Sequence, residues 1–336
     1  QNHFVLDRGG SIFNKHAPVI KLREGASEEE HVRLLGLLNS STAGFWLKMV
    51  SQAKGGSGLG RGIQSEAWEE RYEFTGTNLE EFPLPAEYPT ALATELDSLA
   101  QQLAATSPAA LAAEDAPTAA ALREAEAHYN STRARMIALQ EELDWQVYSL
   151  YDLHSEDLRL PDTSAVPELA LGERAFEIVL ARRVTTGEAS GEWFQRHGPT
   201  QITEIPAHWP ANYQALVQRR IEVIESNRAI GMIERPEYKR RWATEGWDTM
   251  RQKALRSWLL AKDQLPGKAL TAGVPVGTDV ASDRPRLIGN RVSTLFTSLH
   301  TDIADPLERL RAIARTTSAA KEFQSTLGAD MLADWS

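Results

Sequence analysis

Apolar residues recur at helical spacing along most of this chain. Ser27 precedes the first such stretch, and together with Glu30 it forms the S-x-x-E pattern that caps helix N-termini. The apolar positions continue as far as Val50, so we predict one buried helix from Ser27 to Val50. Its apolar side consists of Leu34, Leu35, Leu38, Phe45 and Leu47.

Two stretches further on have the alternating three- and four-residue steps of a coiled-coil seam. The first covers Leu92–Leu103 and the second Leu122–Leu143, with an alanine-rich, proline-bounded connection between them. We predict an antiparallel helical hairpin whose second arm, about Thr118 to Tyr151, is ~50 Å long and forms a strut. An ordinary bundle or a dimeric coiled coil is the alternative. The aromatic residues that end this arm, Trp145 and Tyr148 among them, are expected to pack in a core.

Shorter helices are predicted beyond the hairpin, one at Glu173–Arg183 and one that opens at Pro210 or Ala211. The second has an apolar side that contains Tyr213, Leu216, Val217, Ile221 and Ile224, and a polar side that contains Arg219, Arg220, Glu222 and Glu225.

The last 80 or so residues have a different pattern. Residues 269–276 and 292–299 alternate like strands, and Asp305-Pro306-Leu307-Glu308 is a well-formed helix start. The predicted apolar stripe of this helix is Leu307, Leu310, Ile313, Ala314 and Thr317. The whole chain is therefore predicted to be α+β and predominantly helical.

Charge is distributed unevenly along the chain. The net charge is −10, but residues 80–180 contain nineteen Asp or Glu and five Arg, a balance of −14, so the remainder carries +4. An acidic surface is therefore assigned to the hairpin region, and a nucleic-acid surface would lie on either side of it. No cysteine, signal-peptide pattern or membrane-spanning apolar run is present, so disulfides are excluded and a cytoplasmic location without membrane contact is expected. The spacing of the eight histidines indicates no metal site.

A glycine-dense, basic segment follows Val50. It fits neither the P-loop nor the Rossmann fingerprint, and it is not a G-x-S-x-G element. Free backbone N–H groups flanked by cations suit phosphate oxygens, and the DNA backbone is the most economical such ligand. A solvated glycine linker is the alternative. The candidate DNA-binding residues here are Lys54, Gly55, Gly56, Ser57, Gly58, Gly60 and Arg61.

A second basic stretch lies between residues 219 and 241, where seven basic residues face four acidic ones beside Tyr238 and Trp242. Interleaved cations and aromatic rings can hold a phosphate backbone. A solvated helical face with internal ion pairs would have the same composition. The candidate DNA-binding residues of this stretch are Arg219, Arg220, Arg235, Lys239, Arg240 and Arg241.

Five runs resemble the target-recognition domain and following region of PglX-type adenine-specific DNA methyltransferases of BREX phage-defence systems. In chain order they are LLGLLNSSTAGFWLK, KGGSGLGRGIQSEAWEERYEFTGTNLEEFPLP, QEELDWQVYSLYDL, GERAFEIVLARR and RRIEVIESNRAIGMIERPEYKRRW, and the likeness covers about residues 1–255. The resemblance implies binding to double-stranded DNA, an upstream methyltransferase domain that uses S-adenosylmethionine, and contacts with other phage-defence proteins. An adenine methyltransferase needs a [DNS]-P-P-[YFW] motif, and this sequence has no Pro-Pro pair, so we expect it to bind DNA and not to methylate it.

The tail resembles the C-terminal part of bacterial wax ester synthase/diacylglycerol acyltransferases. The matching runs are ALRSWLLAKDQLPGKALTAGVPVGTD, GNRVSTLFTSLHTDIADPLERLRAIARTTSAAKEF and LGADMLADW. The H-H-x-x-x-D-G motif of that family is missing, which argues against acyl transfer. An acyltransferase fragment and a helical protein–protein adaptor nevertheless stay as alternatives to DNA recognition. The predicted divisions are 1–85 for the end of a target-recognition domain, 86–155 for the hairpin, 156–255 for a helical region and 256–336 for the acyltransferase-like tail.

Overall fold

The computed structural model describes residues 3–9, 19–53, 72–114, 118–242, 245–262, 271–277 and 292–327. The chain divides into two compact units, Gln1–Arg251 and Gln252–Ser336. The first unit is mostly helical with one short two-stranded ladder, and the second combines a β-hairpin with a helix. The prediction of a predominantly helical chain is confirmed.

The apolar stretch after Ser27 forms two helices, α1 (Glu28–Leu38) and α2 (Ser41–Val50). The Ser27 hydroxyl accepts from the Glu30 N–H at 3.2 Å, and the Glu30 carboxylate accepts from the Ser27 N–H at 2.8 Å, which is the predicted capping box. The prediction of one continuous helix is wrong. The Ser40 side chain accepts from the N–H of Ala43 and starts a new helix, because it satisfies a donor that a helix N-terminus leaves open.

A two-residue ladder follows α2. Strand β1 (Gln52–Ala53) pairs antiparallel with β2 (Tyr72–Glu73), and Ala53 lies opposite Tyr72. Residues 54–71, which connect the two strands in sequence, lie outside the described residues. The short helix α3 (Gly76–Glu80) comes next, and the Asn78 side chain donates to the carbonyl of Val50 at the end of α2. The chain positions that flank the glycine-rich segment are therefore neighbours.

The leucine seams form α4 (Thr90–Ala105) and α6 (Ala119–Leu150), with the short α5 (Pro108–Glu114) between them. Helix α4 packs on both α6 and α1. The contact with α1 is close, since a Cβ atom at Gly36 would lie 2.5 Å from the Cβ of Ala93. Helix α6 is about as long as predicted, but it is not an exposed strut, because every residue from Met136 to Trp145 is buried. Trp145 and Tyr148 lie in the core, as predicted.

Five further helices are described before the second pair of strands, and the last of them crosses the boundary between Arg251 and Gln252. They are α7 (Ala175–Thr185), α8 (Glu192–His197), α9 (Ala211–Ser226), α10 (Arg228–Ile233) and α11 (Trp247–Lys262). Four of the predicted apolar positions of α9 are buried, namely Tyr213, Val217, Ile221 and Ile224. They pack with the end of α6 around Trp145 in the main hydrophobic core.

The second unit contains the antiparallel strands β3 (Thr271–Gly277) and β4 (Val292–Ser298) and the helix α12 (Pro306–Leu327). The strands match the predicted alternation. The Asp305 carboxylate accepts from the N–H groups of Leu307 and Glu308 at 2.9 and 2.8 Å, so the predicted helix start is confirmed. The predicted stripe is wrong in its first turn, because Leu307 and Leu310 are 56% and 62% exposed, whereas Ala312 is buried.

Candidate nucleic-acid interface

Three carboxylates within about one turn of α6 lie in the interior of the first unit. Glu141, Glu142 and Asp144 are each at most 2% exposed. Burial of a charge is unfavourable unless the charge is paired and hydrogen-bonded. Glu142 accepts from the Arg220 guanidinium at 2.8 Å, and Asp144 accepts from the Lys239 ammonium at 2.8 Å. We call these five residues, together with Glu234, the buried charge network.

Asp144 connects three parts of the first unit. It accepts from the backbone N–H of Ser41 at 2.8 Å and from the Ser41 hydroxyl at 2.6 Å, which fixes the start of α2 on α6. It also accepts from Lys239, whose ammonium donates to Glu234 at 2.8 Å as well. Tyr148 donates to the same Glu234 carboxylate. The start of α2, the middle of α6 and the basic stretch that contains Lys239 are thereby held together.

Arg220 and Lys239 do not face solvent, contrary to the predicted contact with phosphate. Their exposed fractions are 0% and 4%. Arg220 also donates to the carbonyl of Leu158 at 2.7 and 3.0 Å, and its guanidinium lies 5.3 Å from the Trp145 ring centre. Burial opposes the charge on both side chains, but the carboxylates outweigh it and raise the pKa of each. Both residues therefore stabilise the interior, and their charged groups are already paired with buried carboxylates.

A second buried ion pair positions the backbone of the basic stretch. Arg174 and Glu177, 3% and 0% exposed, pair at 2.8 Å. Glu177 also accepts from the N–H of Gly172 at 2.9 Å and from the indole of Trp193 at 3.2 Å. The Arg174 guanidinium donates to the carbonyl of Arg240 at 2.7 Å. Arg240 is therefore held in place through its backbone.

A cleft lies between α2 and the basic stretch, with about 410 Å³ of empty space including the part open to solvent. The Lys48 ammonium donates to the carbonyl of Glu237 and lies 5.4 and 5.6 Å from the ring centres of Tyr72 and Tyr238. We call it the basic cleft. Its lining consists of His3, Leu38, Asn39, Ser40, Gly44, Lys48, Glu237, Tyr238, Lys239 and Arg240.

Positive charge extends beyond the cleft to Arg241. Burial, followed by the positive charges of Arg240 and Arg241, lowers the pKa of His3 to about 4. Burial likewise lowers the pKa of His197, and Arg241 contributes next. The Arg240 guanidinium lies 4.5 Å from the ring centre of Trp242. The positive charge of Arg241 thus lowers the pKa of both histidines, and that of Arg240 acts on His3 as well.

The other predicted site residues are placed differently. Arg219 is an exposed residue of α9 that pairs with Glu156 and, at 2.7 Å, with Glu222. This arrangement matches the alternative of a solvated helical face with ion pairs. Arg235 is exposed, and its Nε donates to the carbonyl of Gly231 at 3.4 Å. The predicted loop residues Lys54, Gly55, Gly56, Ser57, Gly58, Gly60 and Arg61 lie outside the described residues.

Two residues of the basic cleft were missed by the sequence prediction, His3 and Lys48. Lys48 had a local signal, because it is a cation in the last turn of α2, immediately before the glycine-rich segment. His3 had none, since it reaches the cleft through the fold and not through a sequence pattern.

Glu141 gives the buried charge network a pH dependence that can be measured. Its carboxylate accepts from the N–H of Ala175 at 3.1 Å, and burial raises its pKa to about 7. An acid whose pKa is raised on folding favours the folded state at low pH, and this contribution is lost as the pH rises through about 7. We expect Glu141→Gln to be more stable than the wild type above pH 7, by no more than about 3 kcal/mol. Urea unfolding at a series of pH values measures this.

The difference between the Glu141→Gln variant and the wild type should shrink as the pH falls toward ~4.5, where the carboxyl group is neutral. Glu124→Gln is the control, because Glu124 is an exposed residue of the same helix. An equal difference in the free energy of unfolding at pH 5 and pH 8 would contradict the assignment.

Two family models match parts of this chain. One is described as "Domain of unknown function (DUF7008)" and covers residues 136–272, a range that includes the residues of the buried charge network. The other is the "WS/DGAT C-terminal domain", which covers residues 288–336. The two matches do not overlap, so the tail has a relationship of its own.

Known relatives also fall into two groups that match different parts of the chain. It is 70% identical over 265 residues, or 77% of its length, to the adenine-specific methyltransferase PglX of Streptomyces coelicolor. Most of this chain resembles PglX. The predicted likeness is thus confirmed, and the chain spans 22% of the length of that PglX protein.

The part outside the likeness to PglX has different relatives. A Mycobacterium tuberculosis protein described as a diacylglycerol O-acyltransferase is 38% identical over 82 residues, which is 24% of this chain and 16% of the relative. A Mycobacterium bovis protein of the same description is 44% identical over 66 residues, 18% of this chain and 12% of the relative. No solved structure matches the chain. Among the described residues, no helix is both long and apolar enough to cross a membrane.

Proposed function

We propose that this chain is the DNA-recognition and docking portion of a site-specific adenine-N6 DNA methyltransferase of a BREX phage-defence system. The observation that carries the proposal is the 70% identity to PglX over 77% of the chain. In the proposed complex, double-stranded DNA is the ligand, and a methyltransferase domain outside this chain binds S-adenosylmethionine and acts on the adenine. Other phage-defence proteins are proposed partners, and the cytoplasm is the proposed location.

The geometry supports a role in docking. Asp144 fixes the start of α2 to α6 and to the basic stretch, while the end of α2 leads into the glycine-rich segment. Arg240 and Lys48 line one cleft, and Arg235 is exposed in the same stretch of chain. Contacts to phosphate fix the register of a protein on a duplex, whereas contacts to base edges read the sequence. We propose the first task for the basic cleft and the basic stretch, with Lys54 and Arg61 as additional phosphate contacts.

The salt dependence of duplex binding tests this function. Each phosphate contact that is lost should lower the slope of log K against log [salt] by about one unit. We therefore expect Lys54→Ala and Arg61→Ala each to flatten the slope by about one unit, and the double variant by about two. Fluorescence anisotropy with a labelled duplex at several salt concentrations gives the slopes.

Arg123→Ala is the matched control for these substitutions, because it removes the same charge from an exposed position of α6 within the acidic stretch. Its slope should equal that of the wild type. Unchanged slopes in the Lys54 and Arg61 variants would remove the glycine-rich segment from the interface. A chain with no salt-dependent affinity for duplexes would exclude DNA docking and favour the helical adaptor.

Acyl transfer is a second candidate, favoured by the match of residues 288–336 to the WS/DGAT C-terminal domain. The sequence has no His-His pair, which the H-H-x-x-x-D-G motif requires. An assay with an acyl-CoA and a long-chain alcohol decides between the two functions, and we expect no ester product.

A further inference from the structure

The buried cations of the first unit differ in how their charge is compensated. Carboxylates outweigh the effect of burial at Arg174, Arg220 and Lys239 and raise the pKa of each. At Arg240 the balance is opposite, because burial lowers the pKa and Asp144 offsets it only in part. Asp144 already accepts from Ser41 and Lys239. Arg240 is therefore a partly buried guanidinium whose charge the fold leaves incompletely balanced.

The contacts of the Arg240 side chain lead to the same conclusion. Its guanidinium lies over the ring of Trp242 at 4.5 Å, and within the described ranges no carboxylate or other acceptor pairs with it. Its backbone is fixed by Arg174. Arg240 is one of the residues that line the basic cleft, and its charge acts on His3 in the same lining, so a ligand that enters the cleft from solvent can approach it. A guanidinium presents a planar fork of N–H donors that fits two oxygens of one phosphate group.

The neighbours of Arg240 also favour a phosphate group as the ligand of the cleft. Lys48 adds an ammonium group to the cleft lining, whereas the ammonium of Lys239 is already paired with Asp144 and Glu234. His3 stays neutral near pH 7, because burial and then Arg240 hold its pKa at about 4. Among the residues that the structure describes, Glu237 is the one acidic residue in the lining, and its backbone carbonyl accepts from Lys48. The cleft thus combines a fixed guanidinium with an ammonium, which favours a compact anion.

We infer that the basic cleft is a phosphate-binding site in which Arg240 holds the anion and Lys48 supports it. The phosphate comes either from the backbone of a nucleic acid or from a free phosphate compound, and the nucleic-acid source rests on the proposed function. The site itself requires only phosphate chemistry. The proposed site includes His3 and Lys48, which lie outside the basic stretch.

Two titrations of the full chain test the site. In the first, inorganic phosphate is added and the ¹H,¹³C signals of the His3 imidazole are followed by NMR. An anion beside His3 favours the charged imidazolium, so the pKa of His3 should rise from its lowered value. In the second, binding of a labelled duplex is measured against salt concentration. We expect Arg240→Gln to weaken phosphate binding about tenfold, in line with the loss of a charge-assisted hydrogen bond, and to lower the salt slope by about one unit.

Two further variants separate the site from general charge effects and from misfolding. Arg123→Gln removes the same charge from an exposed position and should change neither titration. Arg240→Lys keeps the charge but loses the fork, so it should retain the salt slope and bind phosphate more weakly than the wild type. Because burial of Arg240 is not fully compensated, Arg240→Gln should unfold at no lower urea concentration than the wild type.

The outcomes distinguish this site from the proposed function. If inorganic phosphate leaves His3 unchanged, or if Arg240→Gln binds phosphate as well as the wild type does, the site is overturned. If Arg240→Gln binds duplex with the wild-type salt slope, the site does not contact nucleic acid, and DNA docking occurs elsewhere. If phosphate binds through Arg240 but no duplex binds, the site stands with a free phosphate compound as its ligand and the proposed function fails.

Discussion

Substitution of Lys239 by Met should lower the free energy of unfolding by about 3–5 kcal/mol. The substitution keeps most of the side-chain volume but removes the ammonium that both Asp144 and Glu234 accept from at 2.8 Å. Both carboxylates are then left buried without their cation, and an uncompensated buried charge is one of the largest single penalties in a protein interior. Urea denaturation followed by circular dichroism measures the loss at pH 7.

Two comparisons make this prediction specific. Arg235→Met removes an exposed cation from the same stretch and should change the free energy of unfolding by less than about 0.5 kcal/mol. Adding Glu234→Gln to Lys239→Met removes one of the two stranded charges and should recover part of the loss. The deficit of Lys239→Met should also shrink on acidification, because a buried carboxylate without a cation takes up a proton. A Lys239→Met protein as stable as the Arg235→Met protein would contradict the network.

Substitution of Gly172 by Ala should cost about 2–5 kcal/mol in the free energy of unfolding. Gly172 has φ of +100°, and a Cβ atom there would lie 2.0 Å from the carbonyl oxygen of Thr200. An L-residue with left-handed backbone costs about 1–2 kcal/mol, and the displacement of a backbone carbonyl in a packed region adds about 1–3 kcal/mol. Because the N–H of Gly172 donates to the buried Glu177, the local backbone has little freedom to move away.

Gly187 supplies a matched control for this substitution. It has φ of +78°, but nothing lies within 4 Å of the Cβ position, so Gly187→Ala carries the backbone cost without the clash. Thermal unfolding of the two variants should differ clearly, and the difference reports the contact with Thr200. Equal losses for Gly172→Ala and Gly187→Ala would mean that the Thr200 carbonyl moves away at little cost.

Local signals in the sequence predicted the starts of several elements correctly. The capping box at Ser27, the aspartate cap before α12 and the start of α9 at Ala211 each depend on residues close in sequence. The break between α1 and α2 was missed, although Ser40 is a good cap, because the apolar pattern continues across it. The Asp144 carboxylate that accepts from Ser41 is 103 residues away, so no local pattern reveals it.

The candidate site was harder to predict because its cations divide between the interior and the surface. Arg220 had a signal that was missed, since it lies seven residues after Tyr213 and so falls on the buried stripe of α9. Lys239 had no such signal, because its carboxylate partner Asp144 is 95 residues away in sequence. The composition of the stretch alone predicts that both Arg220 and Lys239 are exposed cations.

The acidic residues between positions 80 and 180 also contribute less surface charge than their number indicates. Glu141, Glu142, Asp144 and Glu177 belong to that count, yet each is buried. Cations from outside that range, Arg220 and Lys239, pair with two of them. A net charge counted over one segment of sequence therefore overstates the electrostatic field at the protein surface when ion pairs join that segment to distant residues.

The pairing of β1 with β2 has a practical consequence. Ala53 and Tyr72 are partners in the ladder, so the two chain positions on either side of the intervening stretch lie next to each other. Because these two positions are adjacent, we expect that replacing the stretch between them with that of a homologue leaves the helices on either side in place. Chimeras in which only this stretch is exchanged would show whether it determines the preference for a DNA target sequence.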